Sequence, residues 1–471
     1  MNNKGTLGVI IGNRGCFPGS LAEKGRQEIA VALKKQGIEA VIIAKEEAKY
    51  GAIENLAEAR KNAALFRENR DKIDGILVSL PNFGDERAIA DTIRMSELNV
   101  PVLVQAYPDD LKKMAVEYRR DSFCGKLSTC NVLRQYGIPY SLTRTHTSAP
   151  DSREFKEDLD WFLAVCRVVK GLKGARIGAI GARTTPFKTV RYSEKLLEAS
   201  GISVETLDLS EILTAVNKLK DNDPQVQSKL KILSGYCVTR DISAKSLLKM
   251  AKMGTALDRW VKENEIDACT IQCWSALQDA LQIFPCALMS IMSEALLPAA
   301  CEVDVMGAVA MYALQLASGK PAGLFDWNNN YGGDPDKLVL FHCSNAPKSM
   351  LGPVCMGYNK IAARMGAGPE NSYGTCSGKI KSGPMTYVRF SSDDTSAEII
   401  GCIGEGVITN DPLDTFGGVG VARIEKLQEL LRFLCQNGFE HHVAISQSKS
   451  AGILFEALDN YVGWDVYLHQ R

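Results

Sequence analysis

The first 170 residues alternate short apolar runs with longer stretches in which apolar and polar residues repeat at helical spacing. The apolar runs have the length of buried strands, and they lie at 7–11, 40–44, 75–79 and 102–105. A chain in which strands alternate with helices in this way is typical of a parallel sheet covered by helices. The pattern therefore predicts an α/β domain over residues 1–170.

A second strand–helix rhythm begins after the charged helical stretch 152–170 and the turn GLKG. It starts with an apolar run at 175–180 and continues through 204–207 and 268–272. It then reaches 305–317, a helix without a polar face, which predicts that this helix is buried. We expect a second α/β domain with a parallel sheet over residues 171–350.

From about residue 351 the composition shifts toward glycine, serine and threonine. Two β-rich runs, MTYVRFSS and EIIGCIGEG, follow, and the next helical pattern comes only at 423–436. These features predict a mostly β, barrel-like domain over residues 351–471. The predicted fold class is thus α/β, with two doubly wound parallel-sheet domains followed by a mostly β carboxyl-terminal domain.

Composition and charge exclude several classes of protein. The 471 residues exceed what one hydrophobic core usually supports, and 45% apolar with 23% charged residues is typical of a folded globular chain. Lysine plus arginine equals aspartate plus glutamate, at 55 each, so no global field favours nucleic acid or an anionic membrane. The start MNNKGTLGVIIGN lacks a signal-peptide pattern, no run is long enough to span a membrane, and no C-x-x-C pair occurs. We expect a cytoplasmic protein.

The segment CEVDVMGAVAM places two carboxylates immediately before the buried helix. Asp304 has a structural role available as the helix N-cap. Glu302 lies among apolar neighbours, where a carboxylate is costly to bury unless a cation or hydrogen bonds compensate it. Glu302 is therefore either a metal ligand or catalytic acid, or a residue that faces solvent.

Three further segments offer polar groups next to apolar runs. Asp326 in AGLFDWNNN stands at the expected carboxyl end of a strand, although Asp and Asn there also make turns. His342 in DKLVLFHC points among apolar neighbours, as hydrogen-bonded core histidines do as well. The pair His441 and His442 in QNGFEHHVAIS opens a strand, or else forms an exposed turn. Because neighbouring side chains on a strand point to opposite faces, at most one of this pair should enter a given site.

Two carboxylates and an imidazole together suit a cation such as Mn²⁺, Co²⁺ or Mg²⁺ and supply no thiolate to favour zinc. Such an ion can chelate two neighbouring sugar oxygens and polarise a carbonyl. A carboxylate beside it can then move a proton between C1 and C2 through an enediol. These residues therefore permit the chemistry of an aldose–ketose isomerase.

Several segments resemble those of the L-fucose isomerase and L-arabinose isomerase superfamily. CEVDVMGAVAM is similar to the T-E-N-D-x-x-x-G-V-A-M segment of fucose isomerases, and GLFD resembles their V-F-A-D strand end, 24 residues on (326 minus 302). EHHVAIS resembles the H-H-T-V-F-S segment of the arabinose branch, and SGKIKSGPMTYVRFS looks like the β-barrel core of the family's carboxyl-terminal domain. The resemblance implies a metal-dependent aldose–ketose isomerase with an L-fucose-like or L-arabinose-like substrate.

The resemblance also implies a ligand set. Glu302 and Asp326, from the second domain, and His442, from the third, correspond to the residues that hold the divalent cation, expected to be Mn²⁺ or else Co²⁺ or Mg²⁺. His342 looks like an additional histidine of the arabinose branch and is a possible fourth ligand. Glu302 and Asp326 would serve as acid and base as well as ligands.

Other positions follow from the resemblance. LGVIIGNRGCFPGSL is similar to the fucose isomerase opening, whose arginine reaches into a neighbouring subunit's active site, so Arg14 would contact the sugar. Gln272 and Trp274 in QCWSALQ resemble pocket-lining residues, although core packing also accounts for Trp274. A homo-oligomer, trimer or hexamer, with active sites at subunit interfaces is implied.

Three alternatives stay open. Family members also isomerise the sulfonated hexose sulfoquinovose, whose sulfonate would need cationic groups at the far end of the pocket. The sequence offers for this Arg14, Arg120, Lys126, Lys379 and Lys381. A sugar-binding module without catalysis is a second alternative. An NAD-dependent oxidoreductase, suggested by GAIGARTTPF, is disfavoured because the segment lacks a G-x-G-x-x-G pattern.

Overall fold

A computed structural model of the protein describes residues 4–239 and 242–470. This described part divides into two compact units. The first runs to Lys170 and includes Glu456–Gly463, and the second contains Gly171–Phe455 and continues from Trp464. The division after residue 170 lies at the first expected boundary, whereas residue 350 lies inside the second unit. The three-domain division stays a prediction.

The first unit contains a parallel sheet with helices on both faces. Alternate residues of its central strands feed two separate apolar clusters, so both faces are covered, as in other parallel sheets. The described strands are β1 (Gly5–Ile11), β2 (Ile38–Ile42), β3 (Gly75–Leu80), β4 (Val102–Ala106) and β5 (Ser141–Leu142), in the order β2-β1-β3-β4-β5. The helices are α1 (Gly19–Lys35), α2 (Leu56–Glu68), α3 (Glu86–Ser96), α4 (Ser122–Gln135) and α5 (Arg153–Leu172).

The second unit contains two sheets. Its described strands are β6 (Arg176–Ile180), β7 (Ser203–Leu207), β8 (Val238–Thr239), β9 (Ala268–Ile271), β10 (Ala299–Cys301), β11 (Ala322–Asn330), β12 (Lys337–His342), β13 (Cys355–Tyr358), β14 (Tyr373–Lys379), β15 (Gly383–Asp393), β16 (Glu398–Ile408), β17 (Gly418–Arg423), β18 (His442–Ser446) and β19 (Asp465–Leu468). Its helices are α6 (Glu194–Ala199), α7 (Leu209–Lys218), α8 (Pro224–Tyr236), α9 (Ala244–Glu263), α10 (Ala276–Leu281), α11 (Cys286–Glu294), α12 (Val305–Ser318), α13 (Lys360–Ala362), α14 (Leu427–Gln436) and α15 (Ala451–Phe455).

The two sheets of this unit differ in pairing. The smaller is parallel, in the order β10-β9-β6-β7. The larger is mixed and mainly antiparallel, in the order β19-β16-β15-β18-β11-β12-β17-β14-β13-β8. The predicted fold class, two parallel α/β layers and a mostly β part, is confirmed. β8, β11 and β12 come before residue 350 yet belong to the mixed sheet.

Helix α12 explains why its sequence lacks a polar face. It packs against β9 and β10 of the parallel sheet and against β11, β15 and β18 of the mixed sheet. A helix enclosed by two sheets has no solvent side, so apolar residues all round it are expected. Its N-cap Asp304 accepts a hydrogen bond from the Gly307 N–H at 2.8 Å, as predicted.

Two local predictions are wrong. Asp326 does not end its strand, because β11 continues to Asn330 by pairing with β12. The helix expected from residue 423 begins at Leu427, since Arg423 is the last residue of β17 and pairs with Lys337. In both cases pairing with a distant strand extends the β structure beyond what the local pattern shows. None of the described helices combines the length and apolar character that a membrane crossing requires.

Candidate metal centre

Three neighbouring strands of the mixed sheet bring acidic and imidazole side chains together. β11 pairs antiparallel with β18, and this register puts Asp326 opposite His442. On the other side of β11, β12 ends at His342, the residue after the partner of Asp326. Three of the residues singled out in the sequence are thus adjacent in space although they are far apart in the chain.

Glu302 reaches the same cluster from the parallel sheet. It follows β10 directly, and its N–H donates to the carbonyl of Ile271 at 3.0 Å. Glu302 and Val303 both have left-handed backbone conformations, with φ of 66° and 58°. Such a conformation costs a non-glycine residue roughly 1–2 kcal/mol, and residues held in it are concentrated at functional sites.

The cluster contains buried polar atoms without partners. His442 Nε2 lies 3.2 Å from Glu302 Oε2 and 3.6 Å from Asp326 Oδ1, but neither contact has hydrogen-bond geometry. Within the described residues, these two carboxylate oxygens and His342 Nδ1 are buried and have no hydrogen-bond partner. Unpaired buried polar atoms are rare. Several of them on residues grouped around His442 indicate room for a positively charged partner.

The donor set fits a divalent cation. Two overlapping groups in the described chain have ligand atoms within 4.8 Å of one another, and both include His442: Glu302 with His342, and Asp326 with His441. Every donor is a carboxylate oxygen or an imidazole nitrogen. Such sets suit Mn²⁺, Co²⁺ or Mg²⁺ and do not favour a metal that prefers thiolates.

His442 is fixed by residues behind it. Its Nδ1 lies 2.8 Å from Asp304 Oδ2, which leaves Nε2 directed at Glu302 and Asp326. The fully buried Arg389 donates to both oxygens of Asp304, at 2.5 and 3.1 Å, and through Nε to Glu440 at 2.8 Å. A histidine oriented by a carboxylate through its second nitrogen is the usual arrangement of metal-binding histidines.

This support is not predicted from the sequence. There Asp304 has only a capping role, and neither Arg389 nor Glu440 is a candidate for the site. No local pattern points to Arg389, because its partners are 85 and 51 residues away in the chain. The only available signal was a single arginine among the apolar residues of MTYVRFSS.

Charges in the cluster shift each other's pKa values. Burial alone would raise the pKa of Asp304, but Arg389 and His442 outweigh it and hold the pKa well below its usual range. Burial likewise opposes ionisation of Glu302, and the contacts with His442 and His342 lower its pKa nonetheless. Burial disfavours a charged His442, yet Asp304 and Glu302 raise the pKa of His442 to about 10. Without a metal, the cluster therefore holds two carboxylates around a charged imidazole.

Aromatic side chains border the cluster. Trp274 Nε1 donates to Glu302 Oε1 at 3.1 Å, so Trp274 contacts a candidate ligand. Phe187 lies with its ring centre 5.5 Å from that of Trp274. Gln272, by contrast, accepts a hydrogen bond from the Ala182 N–H at 2.9 Å and so joins the loops that follow β6 and β9. The predicted roles of Trp274 and Gln272 in sugar binding stay predictions.

The prediction that at most one of the paired histidines enters the site is wrong. His441 Nε2 lies 3.9 Å from Asp326 Oδ1, and its ring centre is 4.4 Å from that of His442. The alternation rule holds within a strand, and β18 begins only at His442. His441 precedes the strand, so its side chain is free to turn toward Asp326.

Arg14 lies in the first unit. Its Nε donates to the carbonyl of Gly84 at 2.9 Å, its guanidinium pairs with Glu86, and it stacks on the ring of Phe83 at 4.1 Å. These contacts hold the side chain on its own unit and neutralise its charge. The proposed contact between Arg14 and a sugar therefore stays a prediction.

The other basic residues named for a sulfonate already have partners. Arg120 donates to the carbonyl of Pro81, and the buried Lys126 donates to Thr143 and to the carbonyl of His146. In the second unit, Lys379 donates to the carbonyls of residues 410 and 411, and Lys381 to that of residue 349. These side chains serve mainly to hold loops.

We expect Asp304→Asn to weaken Mn²⁺ binding by about 10–100-fold, because asparagine replaces the charged acceptor that orients His442. The dissociation constant can be measured from the electron paramagnetic resonance signal of free Mn²⁺. Asp208→Asn is the matched control, since Asp208 caps α7 in the same way but lies away from the cluster. Equal Mn²⁺ affinity in the wild type and in Asp304→Asn would rule out this orienting role.

Comparisons with known proteins match both ends of the chain. Residues 8–173 match the family model described as fucose/sulfoquinovose isomerase, N-terminal domain, and residues 340–469 match that of L-fucose isomerase, C-terminal domain. A sulfoquinovose isomerase of Priestia aryabhattai is 24% identical over 379 residues, 80% of this chain and 81% of that protein. A sulfoquinovose isomerase of Alkalicoccus urumqiensis is also 24% identical over 379 residues, 79% of this chain and 81% of that protein.

Proposed function

Because the chain belongs to the fucose isomerase-like superfamily, and so is an isomerase, we propose that it interconverts a 6-sulfonated aldohexose such as sulfoquinovose and its 2-ketose, using a bound divalent cation. The observation that carries the proposal is the set of unpaired donor atoms that Glu302, Asp326 and His342 place around the buried His442. The plain L-fucose-like or L-arabinose-like substrate expected from the sequence becomes the alternative, because the relatives are described as sulfoquinovose isomerases.

The proposed ligands are Glu302, Asp326 and His442, with His342 as a possible fourth. The ion is expected to be Mn²⁺, with Co²⁺ or Mg²⁺ as alternatives. When bound, such an ion would polarise the sugar carbonyl and stabilise negative charge on its oxygen. Two groups of ligand atoms that share His442 support this assignment, because they offer only oxygen and nitrogen donors.

Glu302 and Asp326 are proposed to move the protons. The aldose loses a proton from C2 and gains one on O1, which gives an enediol, and the ketose forms when C1 gains a proton and O2 loses one. Trp274 holds Glu302 Oε1, so Oε2 is the oxygen left for this exchange. His441 stands beside Asp326 and is available to hold a sugar hydroxyl there.

Two alternative functions have less support. A sugar-binding module without catalysis would not need unpaired buried carboxylates at a ligand site. An NAD-dependent oxidoreductase would need a helix to begin directly after the glycine turn of GAIGARTTPF, because the pyrophosphate binds at that helix N-terminus. Here a loop runs from residue 181 to residue 193 before α6 starts at Glu194.

The homo-oligomer stays a prediction, as does the cytoplasmic location. Support for a second copy of the chain comes from apolar side chains that are exposed on the first unit. Leu111 and Val116 are 89% and 78% exposed, and Tyr118 and Phe123 are 57% exposed. Exposed apolar groups concentrated in one segment are typical of a contact surface.

Metal binding is expected to release about one proton per ion at pH 7–8. The pKa of His442 is about 10 in the metal-free cluster, so its Nε2 is protonated at neutral pH and must lose that proton to bind a metal. The apparent affinity should therefore rise with pH up to about 10. Calorimetric titrations with Mn²⁺ in buffers of different ionisation enthalpy measure the released proton, and identical heats in all buffers would contradict the prediction.

The substrate is tested with a panel of sugars. Mn²⁺-loaded protein is incubated with sulfoquinovose, L-fucose, L-arabinose and D-arabinose, and ketose formation is followed by nuclear magnetic resonance. We expect the protein to turn over sulfoquinovose with a higher kcat/KM than the other three sugars. Faster turnover of an unsulfonated sugar would favour the L-fucose-like or L-arabinose-like substrate. If the protein turned over none of these sugars, the sugar-binding module would be favoured.

A further inference from the structure

The loop between β6 and α6, residues 181–193, begins with GARTTPF, the later part of the GAIGARTTPF segment, for which the proposed reaction has so far given no role. β6 lies in the middle of the parallel sheet, with β7 on one side and β9 on the other. The strand order therefore reverses at β6. Such a reversal opens a crevice at the carboxyl ends of the strands, which is where open parallel sheets bind ligands. The loop therefore starts at the edge of a binding crevice.

Aromatic contacts attach this loop to the metal centre. The ring centre of Phe187 lies 5.5 Å from that of Trp274, 5.8 Å from that of His441 and 6.4 Å from that of His442. Trp274 in turn donates to Glu302. Phe187 thus contacts the aromatic side chains of the metal centre, and it brings this loop next to the centre.

The loop is rich in positive charge that no carboxylate neutralises. Arg183 donates only to loop carbonyls, those of Thr184 and Thr185, at 3.1 and 3.4 Å. In the described part of the chain, no ion pair involves Arg183, Lys188 or Arg191. Three cations that form no ion pair beside a candidate ligand site indicate an anionic ligand group.

These side chains line a cavity of about 1030 Å³, whose wall also includes Glu440, the residue that Arg389 binds behind His442. Three of the four carboxylates in its wall already accept hydrogen bonds. Glu440 is bound by Arg389 and Ser391, Glu194 accepts from Tyr192, and Asp393 accepts from the Thr395 N–H. The charged groups that face the cavity are Arg183, Lys188, Arg191, Lys195, Glu194, Asp393, Asp394 and Glu440.

We propose that Arg183 and Lys188, with Arg191 at the outer edge, bind the sulfonate at the C6 end of the sugar while C1 and C2 lie at the metal centre. This assignment rests on the proposed function and names the residues that would make it specific for a sulfonated hexose. Guanidinium presents paired N–H donors that match two oxygens of a tetrahedral anion, and lysine adds a mobile charge. The ring of Phe187, the residue before Lys188, faces the metal centre.

The test compares two sugars that differ only in the sulfonate. Arg183→Gln and Lys188→Gln are each expected to raise KM for sulfoquinovose, by about 10–100-fold for Arg183, because one charge-assisted contact is lost. 6-Deoxy-D-glucose, used as a substrate or as a competitive inhibitor, should bind these variants as it binds the wild type. Arg183→Lys should keep part of the affinity for sulfoquinovose, since it retains the charge.

Two controls separate specificity from folding. Mn²⁺ affinity and melting temperature should be unchanged in the loop variants, and Lys218→Gln, an exposed lysine on α7, should leave both sugars unaffected. If Arg183→Gln does not fold, the exposed Lys188 still gives the answer. An unchanged KM for sulfoquinovose, or equal losses for both sugars, would overturn the assignment. If the wild type does not turn over sulfoquinovose at all, the proposed function fails as well.

Discussion

Glu302→Gln is expected to lower kcat by about 10³-fold, with the fold of the variant intact. Glutamine keeps the size of the side chain and one oxygen, but it cannot accept a proton from carbon and is a weaker metal ligand. Glu302 is proposed to do both, from a position where its Oε2 has no hydrogen-bond partner. The rate is measured as ketose formation from sulfoquinovose at saturating Mn²⁺, so that weaker metal binding does not account for the loss.

Glu211→Gln serves as the control for this substitution, because Glu211 is an exposed glutamate in the first turn of α7. Its kcat should equal that of the wild type. A Glu302→Gln protein that retains more than about a tenth of the activity would show that Glu302 is not the group that moves the proton.

Arg389→Met is expected to reduce the free energy of unfolding by about 3–5 kcal/mol. Arg389 is wholly buried and binds Asp304 and Glu440, so its removal leaves two buried carboxylates without their cation. Methionine fills much of the space, which separates the loss of charge from the loss of volume. Chemical denaturation of metal-free protein measures the change without a contribution from the bound ion.

The matched substitution is Arg259→Met in the same unit. Arg259 also pairs with an aspartate, Asp223, but its side chain is 44% exposed, so the expected loss is below about 1 kcal/mol. Equal losses in the two variants would mean that the buried cluster contributes no more than a surface ion pair. Arg389→Lys should lie between them, because lysine keeps the charge and cannot bind both oxygens of Asp304 at once.

Much of the fold follows from local sequence patterns. The apolar runs at 7–11, 75–79 and 102–105 become β1, β3 and β4, because parallel strands are buried on both faces and read as continuous apolar segments. The helix without a polar face becomes α12, enclosed between two sheets. Patterns of this kind depend on a few neighbouring residues, so the sequence alone is sufficient to predict them.

Local sequence patterns do not predict which strands pair or in which register. The mixed sheet places β11 between β12 and β18, and nothing local in AGLFDWNNN indicates that the strand continues past Asp326. The same pairing brings Asp326 opposite His442. The resemblance to a known family identified these two residues, whereas their register could come only from the structure.

The residues that support His442 could not be predicted from the sequence, because they too depend on contacts between distant elements. Arg389 lies on β15, Asp304 caps α12, and Glu440 precedes β18, so their network depends on how three distant elements meet. From the sequence alone, GAIGARTTPF is only a glycine-rich turn that lacks the pattern of a dinucleotide-binding site. Its position beside the metal centre became visible through the contacts of Phe187.

The most direct test of the account is metal reconstitution with sulfoquinovose as substrate. Protein stripped of metal by a chelator is titrated with Mn²⁺, and ketose formation is followed by nuclear magnetic resonance at each step. We expect no turnover in the stripped protein and full turnover at one Mn²⁺ per chain. Turnover that persists after stripping, or that no divalent cation restores, would contradict a metal centre built from Glu302, Asp326 and His442.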